Sequence, residues 1–258
     1  MRRPVLLLGL ALAGTPLAAQ AVPDHLSQGI AAGQARDPER AFRHFSAALE
    51  EDSLNYEANW RAAQALIDIG KQTPDSVKSP ERDSLYARAE WYARRAAELN
   101  PDDVSGHFVL AQAIGRASLT RSKKERVRRA AEIRAEATRA LELDPRHDGA
   151  NHVMGRWNAE IMRLSGFERF FAKTFLGGGI FNAASWDSAT VYMERAVNLA
   201  PNNIYHHLDL GLVYLDRKRW PEARTQFSII ETLPVVDVMD PDYKRQAAAR
   251  LDEISDKN

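Results

Sequence analysis

HDGANHVMGRWNAEIMRLSGFERFFAKTFLGGGIFNAASWDSATVYMERAVNLAP, residues 147–201, lies between Pro145 and Pro201 and decides the fold. It begins and ends like one helix pair of a repeat protein, but its middle is swollen by a Phe-rich insertion. Gly155 is the small residue on the first helix, helix A. Ala189 and Ala196 are the small residues on the second, helix B, with Met193 at a bulky slot between them. Pro201 closes the unit, because proline cannot continue a helix. The same grammar recurs on both sides. Gly29 is followed by Ala41, Phe45 and Ala48. Ala63 is followed by Ala89, Ala93 and Ala96, and Ala111 by Ile133, Ala137 and Ala140. Gly211 and Tyr214 are followed by Ala223, Phe227 and Ile230.

The spacings separate a constant from a variable. From the first of these helix-B positions, Ile133 in the third unit and alanine in the others, to the next small residue of helix A the steps are 41→63, 89→111, 133→155 and 189→211, each 22 residues. From helix A to helix B within a unit they are 12, 26, 22, 34 and 12. Every insertion therefore falls in the A–B connection. Packing requires this: the contact between units must stay in register to bury a continuous core, while a hairpin tip is free to grow. The shortest units approach the tetratricopeptide repeat, two antiparallel helices in about 34 residues. The expected fold is all-α, a tetratricopeptide-like right-handed α-solenoid of about five helix pairs. Its A–B hairpins are enlarged and a capping helix closes its C-terminus. The units are expected near 22–54, 55–102, 103–146, 147–202 and 203–236, with the capping helix over 241–255.

The 258 residues, 45% hydrophobic and 27% charged, suit one soluble domain with a substantial core. The N-terminus, MRRPVLLLGLALAGTPLAAQA, reads as a leader over 1–21. Arg2 and Arg3 precede a short apolar core, Val5 to Ala13, and Ala19-Gln20-Ala21 fits the small-x-small cleavage rule, with cleavage after Ala19 as the alternative. The apolar run is about half of what spans a bilayer. A bacterial protein, periplasmic or secreted, is expected. Basic and acidic side chains number 35 each. Loss of Arg2 and Arg3 would leave 33 against 35, which argues against a nucleic-acid binder. Cysteine is absent, which excludes disulfides, thiolate metal sites, a Cys nucleophile and a lipoprotein anchor.

Two insertions have character. Between Arg116 and Arg134 lie eight basic residues, Arg116, Arg121, Lys123, Lys124, Arg126, Arg128, Arg129 and Arg134, opposed by Glu125 and Glu132. They read as an exposed helix face or as an anion-seeking patch. Ser122 and Glu125 form a capping box for the helix that carries them. The fourth insertion holds Phe167, Phe170, Phe171, Phe175 and Phe181. Trp157, Ile161, Leu164, Phe171 and Phe175 recur at helical spacing, so helix A is expected to continue past Met162 into a second short helix, which Gly177-Gly178-Gly179 breaks. Gly177-Gly178-Gly179, without a following Lys-Ser/Thr, is not a phosphate loop. The tip plugs the core, lines an apolar cavity or membrane interface, or docks a protein. Near the C-terminus, Asp240-Pro241 starts a helix with Tyr243, Ala247, Leu251 and Ile254 on one face.

With these units in hand, ELDPRHDGANHVMGRWNAEIMRLSGFERFFAKTFLGG followed by SWDSATVYMERAVNLAPN resembles the regulator-of-microtubule-dynamics family. The order is an H-x-x-G-x-W helix A, a basic-aromatic segment ending in small residues, and a repeat helix. The resemblance covers roughly residues 55 to 255 and implies a non-enzymatic tetratricopeptide-like binding module. The family's microtubule role does not carry over, because the leader looks bacterial.

By phase, the helix-A positions facing the concave groove are Trp60 and Gln64, Phe108 and Gln112, His152 and Arg156, and Leu208 and Leu212. They lack the Lys, Asn and Arg set that clamps a chaperone C-terminal carboxylate. An exported scaffold that captures a protein or peptide partner in this groove is expected. The alternative is a lipid or apolar-ligand carrier using the Phe-rich insertion 164–181 and the basic patch 116–134 on an anionic lipid or membrane surface. No G-x-S-x-G, H-E-x-x-H or Walker loop occurs. His147 and His152 are five apart and His206-His207 are adjacent, so neither pair shares a helix face. No catalytic residue, cofactor, metal or nucleic-acid partner is expected.

Overall fold

The computed structural model describes residues 24–119, 121–165 and 180–257, apart from the side chains of Lys123 and Ile180. Among the described residues all regular structure is helical. The α-helices are α1 (His25–Gln34), α2 (Pro38–Glu51), α3 (Tyr56–Lys71), α4 (Pro80–Leu99), α5 (Val104–Ser118), α6 (Lys123–Leu143), α7 (Asp148–Arg163), α8 (Trp186–Leu199), α9 (Ile204–Asp216), α10 (Trp220–Thr232) and α11 (Asp240–Glu253). A 3-10 turn, Ile180–Ala183, precedes α8. The chain is an all-α tetratricopeptide-like solenoid: α1/α2, α3/α4, α5/α6, α7/α8 and α9/α10 pair as A/B hairpins, and α11 caps the last.

The constant step of 22 has a structural cause. Each junction between hairpins is a four-residue turn of one shape. Asn55, Asp103, His147 and Asn203 donate their N–H groups to the carbonyls of Asp52, Asn100, Asp144 and Ala200 at 3.0–3.3 Å. The same four residues then cap the next helix A with their side chains. Capping satisfies N–H groups that a helix start would otherwise leave open, typically worth about 1 kcal/mol.

The two hairpins without an insertion share a second device. Arg36 in the α1–α2 turn and Lys218 in the α9–α10 turn both have left-handed backbones, φ 62° and 57°. Both stand five residues before the first small residue of helix B. A residue with a Cβ is strained there by about 1 kcal/mol, which glycine is spared. Lys218 is exposed. Lys218→Gly should raise the urea midpoint by the equivalent of about 0.5 kcal/mol; a lower midpoint would contradict this reading of the turn.

Within the hairpins the small residues are matched by volume. A Cβ on Gly29 would lie 2.4 Å from the Phe45 ring, one on Gly155 2.7 Å from Met193 and one on Gly211 2.3 Å from the Phe227 ring. Where helix A carries alanine, the partner slot is alanine too: Ala63 with Ala93, and Ala111 with Ala137, all fully buried. Glycine against a bulky side chain and alanine against alanine fill the same gap, as close packing requires.

The enlarged connections spend their extra residues partly on helix B. α4 and α6 have 20 and 21 residues, against 14 in α2. The exposed 72–79 loop is pinned by buried Arg82, which donates to the Pro74 carbonyl at 2.7 Å. In the fourth hairpin α7 ends at Arg163, where Leu164 turns to extended backbone. The helix thus passes Met162 by one residue; the second short helix expected after it, with Phe167, Phe170, Phe171 and Phe175, lies outside the described residues. Phe181 is buried against Trp157, Ile161 and Ala130. Trp157 Nε1 donates to the Ala130 carbonyl of α6 at 2.7 Å, so this ring belongs to the core between α6 and α7.

After α10 the chain returns toward its start. The Val235 carbonyl accepts from an Arg36 guanidinium N–H at 2.9 Å, and Asp237 lies 3.7 Å from Lys71 Nζ. The C-terminal segment thus reaches the first and second hairpins.

Candidate binding groove

Phase within helix A sorts the residues expected in the groove into two columns. Gln64, Gln112, Arg156 and Leu212 occupy one, one residue after the small residue, and all four are half-buried. Trp60, Phe108, His152 and Leu208 occupy the other, three residues before it, and the structure corrects three of these. The Phe108 ring packs on Gly149 and, at 4.5 Å between centroids, on His147 of the next hairpin. His152 is 4% exposed, and its Nε2 is 2.9 Å from Asp209 of the next helix A. Leu208 is 2% exposed and belongs to the core cluster shared with α11. At Phe108, His152 and Leu208 this column is the seam between neighbouring A helices and not the groove floor. Trp60 is half-buried, with the Arg61 guanidinium 4.2 Å from its ring centroid.

One helical turn past Gln64, Gln112 and Arg156 stand Asp68, Arg116 and Glu160, which extend the groove column. Gln64 Nε2 donates to Asp68 at 3.1 Å, and Asp68 holds Lys71 at 2.7 Å. Arg116 is largely enclosed, with Asp75 at 3.7 Å and with Arg156, Tyr205 and Tyr243 within electrostatic reach. In the sequence Arg116 reads as part of the basic insertion and not as a groove residue. The signal was available, since Phe108, Gln112 and Arg116 recur every four residues. An open cavity of about 360 Å³ lies between α1, α3 and the returning C-terminal segment, lined by Gly33, Trp60, Gln64, Asp68 and Val236–Val238.

The deepest part of the groove is charged and aromatic. Arg156 donates to the Tyr205 hydroxyl, lies 3.5 Å from Asp209, and keeps 38% of its side chain accessible. Tyr205 stacks on Tyr243 of α11 at 4.7 Å and 11°. Burial drives the His152 pKa down to about 4, against the pull of the Asp209 hydrogen bond. His152 is thus neutral, and its Nε2–H donates to a carboxylate. Burial pushes Asp209 up, but Arg156 and then His152 outweigh it and hold Asp209 down at about 2. The Tyr205 and Asp209 oxygens in turn raise the Arg156 pKa, and burial raises that of Tyr243. The result is an Arg⁺–Asp⁻ pair whose guanidinium still faces the hollow. Gln112 Oε1 is enclosed and has no hydrogen-bond partner among the described residues. Amides, guanidinia and phenols in one trough can satisfy the N–H and C=O groups of an extended chain, with Trp60 as an apolar contact.

The basic insertion lies apart from this trough. Arg121, Lys124, Arg126 and Arg128 are exposed, whereas Arg129 pairs with Glu90 of α4 and Arg134 lies over the Trp157 ring at 5.5 Å. The Lys123 side chain lies outside the described residues. Among the described residues no three His, Asp or Glu side chains gather as metal ligands, and no helix is long and apolar enough to cross a membrane.

A family model described as Regulator of microtubule dynamics protein 1-3 matches residues 26–255. Regulator of microtubule dynamics protein 1 of Bos taurus is 27% identical over 209 residues, 81% of this chain and 65% of that protein. The Homo sapiens protein is 26% identical over 200 residues, 77% of this chain and 62% of its own length. The chain thus spans slightly less than two thirds of these curated relatives. Among solved structures, a thermophilic tetratricopeptide protein of Thermus thermophilus superposes with a TM-score of 0.63 at 19% identity, covering 88% of this chain and 97% of that one. At this identity the likeness shows the fold alone.

Proposed function

The chain belongs to the regulator of microtubule dynamics protein 1-3 family, and on that footing we propose that it is a non-enzymatic scaffold that captures an extended protein or peptide segment in its concave groove. The observation that carries this reading is the trough of Gln64, Asp68, Gln112, Arg116, Arg156 and Tyr205, drawn from four successive A helices. The Arg156 side chain keeps 38% of its surface accessible there, and Gln112 Oε1 is enclosed without a partner among the described residues, where a monomer that bound nothing would gain by packing apolar side chains. The two arginines suit a partner with acidic side chains. Export to the periplasm or the medium is part of the proposal, supported by the leader pattern and the lack of cysteine. Regulation of microtubule dynamics is what the relatives' name says of them, and it is not proposed here.

A photo-crosslinking residue at Gln64 or Gln112 should give discrete protein adducts in cells, and the same residue at Trp91, 57% exposed on helix B of the second hairpin, should not. Adducts from Trp91 alone would contradict the assignment. One observation favours a second reading: Arg121, Lys124, Arg126 and Arg128 are exposed, with no ion pair among the described residues. On that reading the protein binds anionic vesicles, and the binding weakens steeply between low and physiological salt.

A further inference from the structure

We infer that the segment Val235–Asp240 is a strap that closes one end of the groove and must lift for a partner to enter. This rests on the groove reading and adds its regulation. The strap is organised within itself. Buried Asp240 accepts the N–H groups of Val236 and Asp237, both at 2.7 Å, and Asp237 accepts from Met239 N–H at 2.8 Å. Lys244 Nζ donates to the Glu231 and Leu233 carbonyls that precede it. The strap is therefore a preformed loop anchored on α10 and α11.

Its far side is held by two polar contacts. Arg36 donates to the Val235 carbonyl, 199 residues away in sequence, and Lys71 lies 3.7 Å from Asp237. Val235 and Val236 are 39% and 60% exposed, so lifting this first part of the strap costs little apolar burial, while Met239 stays packed on the core and Asp240 stays buried as the anchor. Yet Val236, Asp237 and Val238 wall the cavity floored by Trp60, Gln64 and Asp68. Lys71 joins the two, since it bridges Asp68 in the groove to Asp237 in the strap. A partner that engages Gln64 and Asp68 draws on the same network that holds the strap. A loop held at its far side by one hydrogen bond and one longer ion pair lifts readily, and releasing it raises apparent affinity by the inverse of the open fraction, roughly 3- to 10-fold here.

Arg36→Gly with Asp237→Asn tests this. Glycine suits the backbone φ of 62° at Arg36, and asparagine can still accept the Met239 N–H, so the variant should fold. The chain has no native cysteine, so spin labels at Gly33→Cys and Val236→Cys report one distance. The parent should give a single short distance, and the strap variant a longer, broader distribution. In the same variant, adduct yield from a photo-crosslinker at Gln112 should rise about 3- to 10-fold. An unchanged distance distribution overturns the strap. A lengthened distance with unchanged adduct yield overturns the gating and leaves the groove standing. No adduct from Gln112 in either protein overturns the groove reading, and the gating with it.

Discussion

Between pH 6.5 and pH 4 the protein should lose on the order of 2–3 kcal/mol of stability through His152 alone. An unfolded histidine takes a proton below about 6.5, whereas burial keeps folded His152 neutral until about pH 4. In that window the unfolded chain binds more protons than the native state, so stability falls as pH falls and is fully present only above the unfolded value. Asp209 adds a second, lower window. Its folded pKa of about 2 lies beneath the ordinary carboxylate value, so its contribution persists above about pH 4 and is lost as pH falls towards 2. His152→Gln keeps an N–H donor for Asp209 and cannot be protonated. Urea midpoints measured from pH 7.5 to 4 should decline more steeply in the parent than in this variant. Parallel profiles would show that His152 is not the titrating group.

Gly211→Ala should cost about 1–3 kcal/mol, a large effect for one methyl group. The new Cβ meets Cε1, Cδ1 and Cζ of the Phe227 ring at 2.3–2.8 Å, and that ring is itself buried, so it has nowhere to retreat. Phe227→Ala alone should cost about 3–5 kcal/mol by emptying the slot. The double variant should cost less than the sum by 1 kcal/mol or more, because alanine facing alanine is how Ala63 with Ala93 and Ala111 with Ala137 already fill this gap. Strict additivity would mean that ring and glycine do not share one volume.

The all-α solenoid was legible because its determinants are local and repeated. Helix-B and helix-A packing positions at a constant step of 22 mark the junctions, and the junction turns from Asp52 to Asn203 show why that step cannot drift. The A–B connections drift because no such turn constrains them. The groove was legible only in part. Phase places Trp60, Phe108, His152 and Leu208 on one line, but a sector of helix A about 100° wide faces both the trough and the next A helix. Which side wins is decided by the neighbour: Gly149 leaves room for Phe108, and Asp209 captures His152. Tyr243 and the strap had no sequence signal as groove elements. Their position depends on how far the superhelix turns, which brings residue 235 back to residue 36.

The most direct test is hydrogen exchange on the protein with and without the partner captured from Gln64 or Gln112. Binding in the groove predicts slower exchange along α3, α5, α7 and α9, together with faster exchange over residues 235–240 as the strap lifts. Protection confined to the helix-B side, α2, α4, α6 and α8, with residues 235–240 unchanged, would contradict the account.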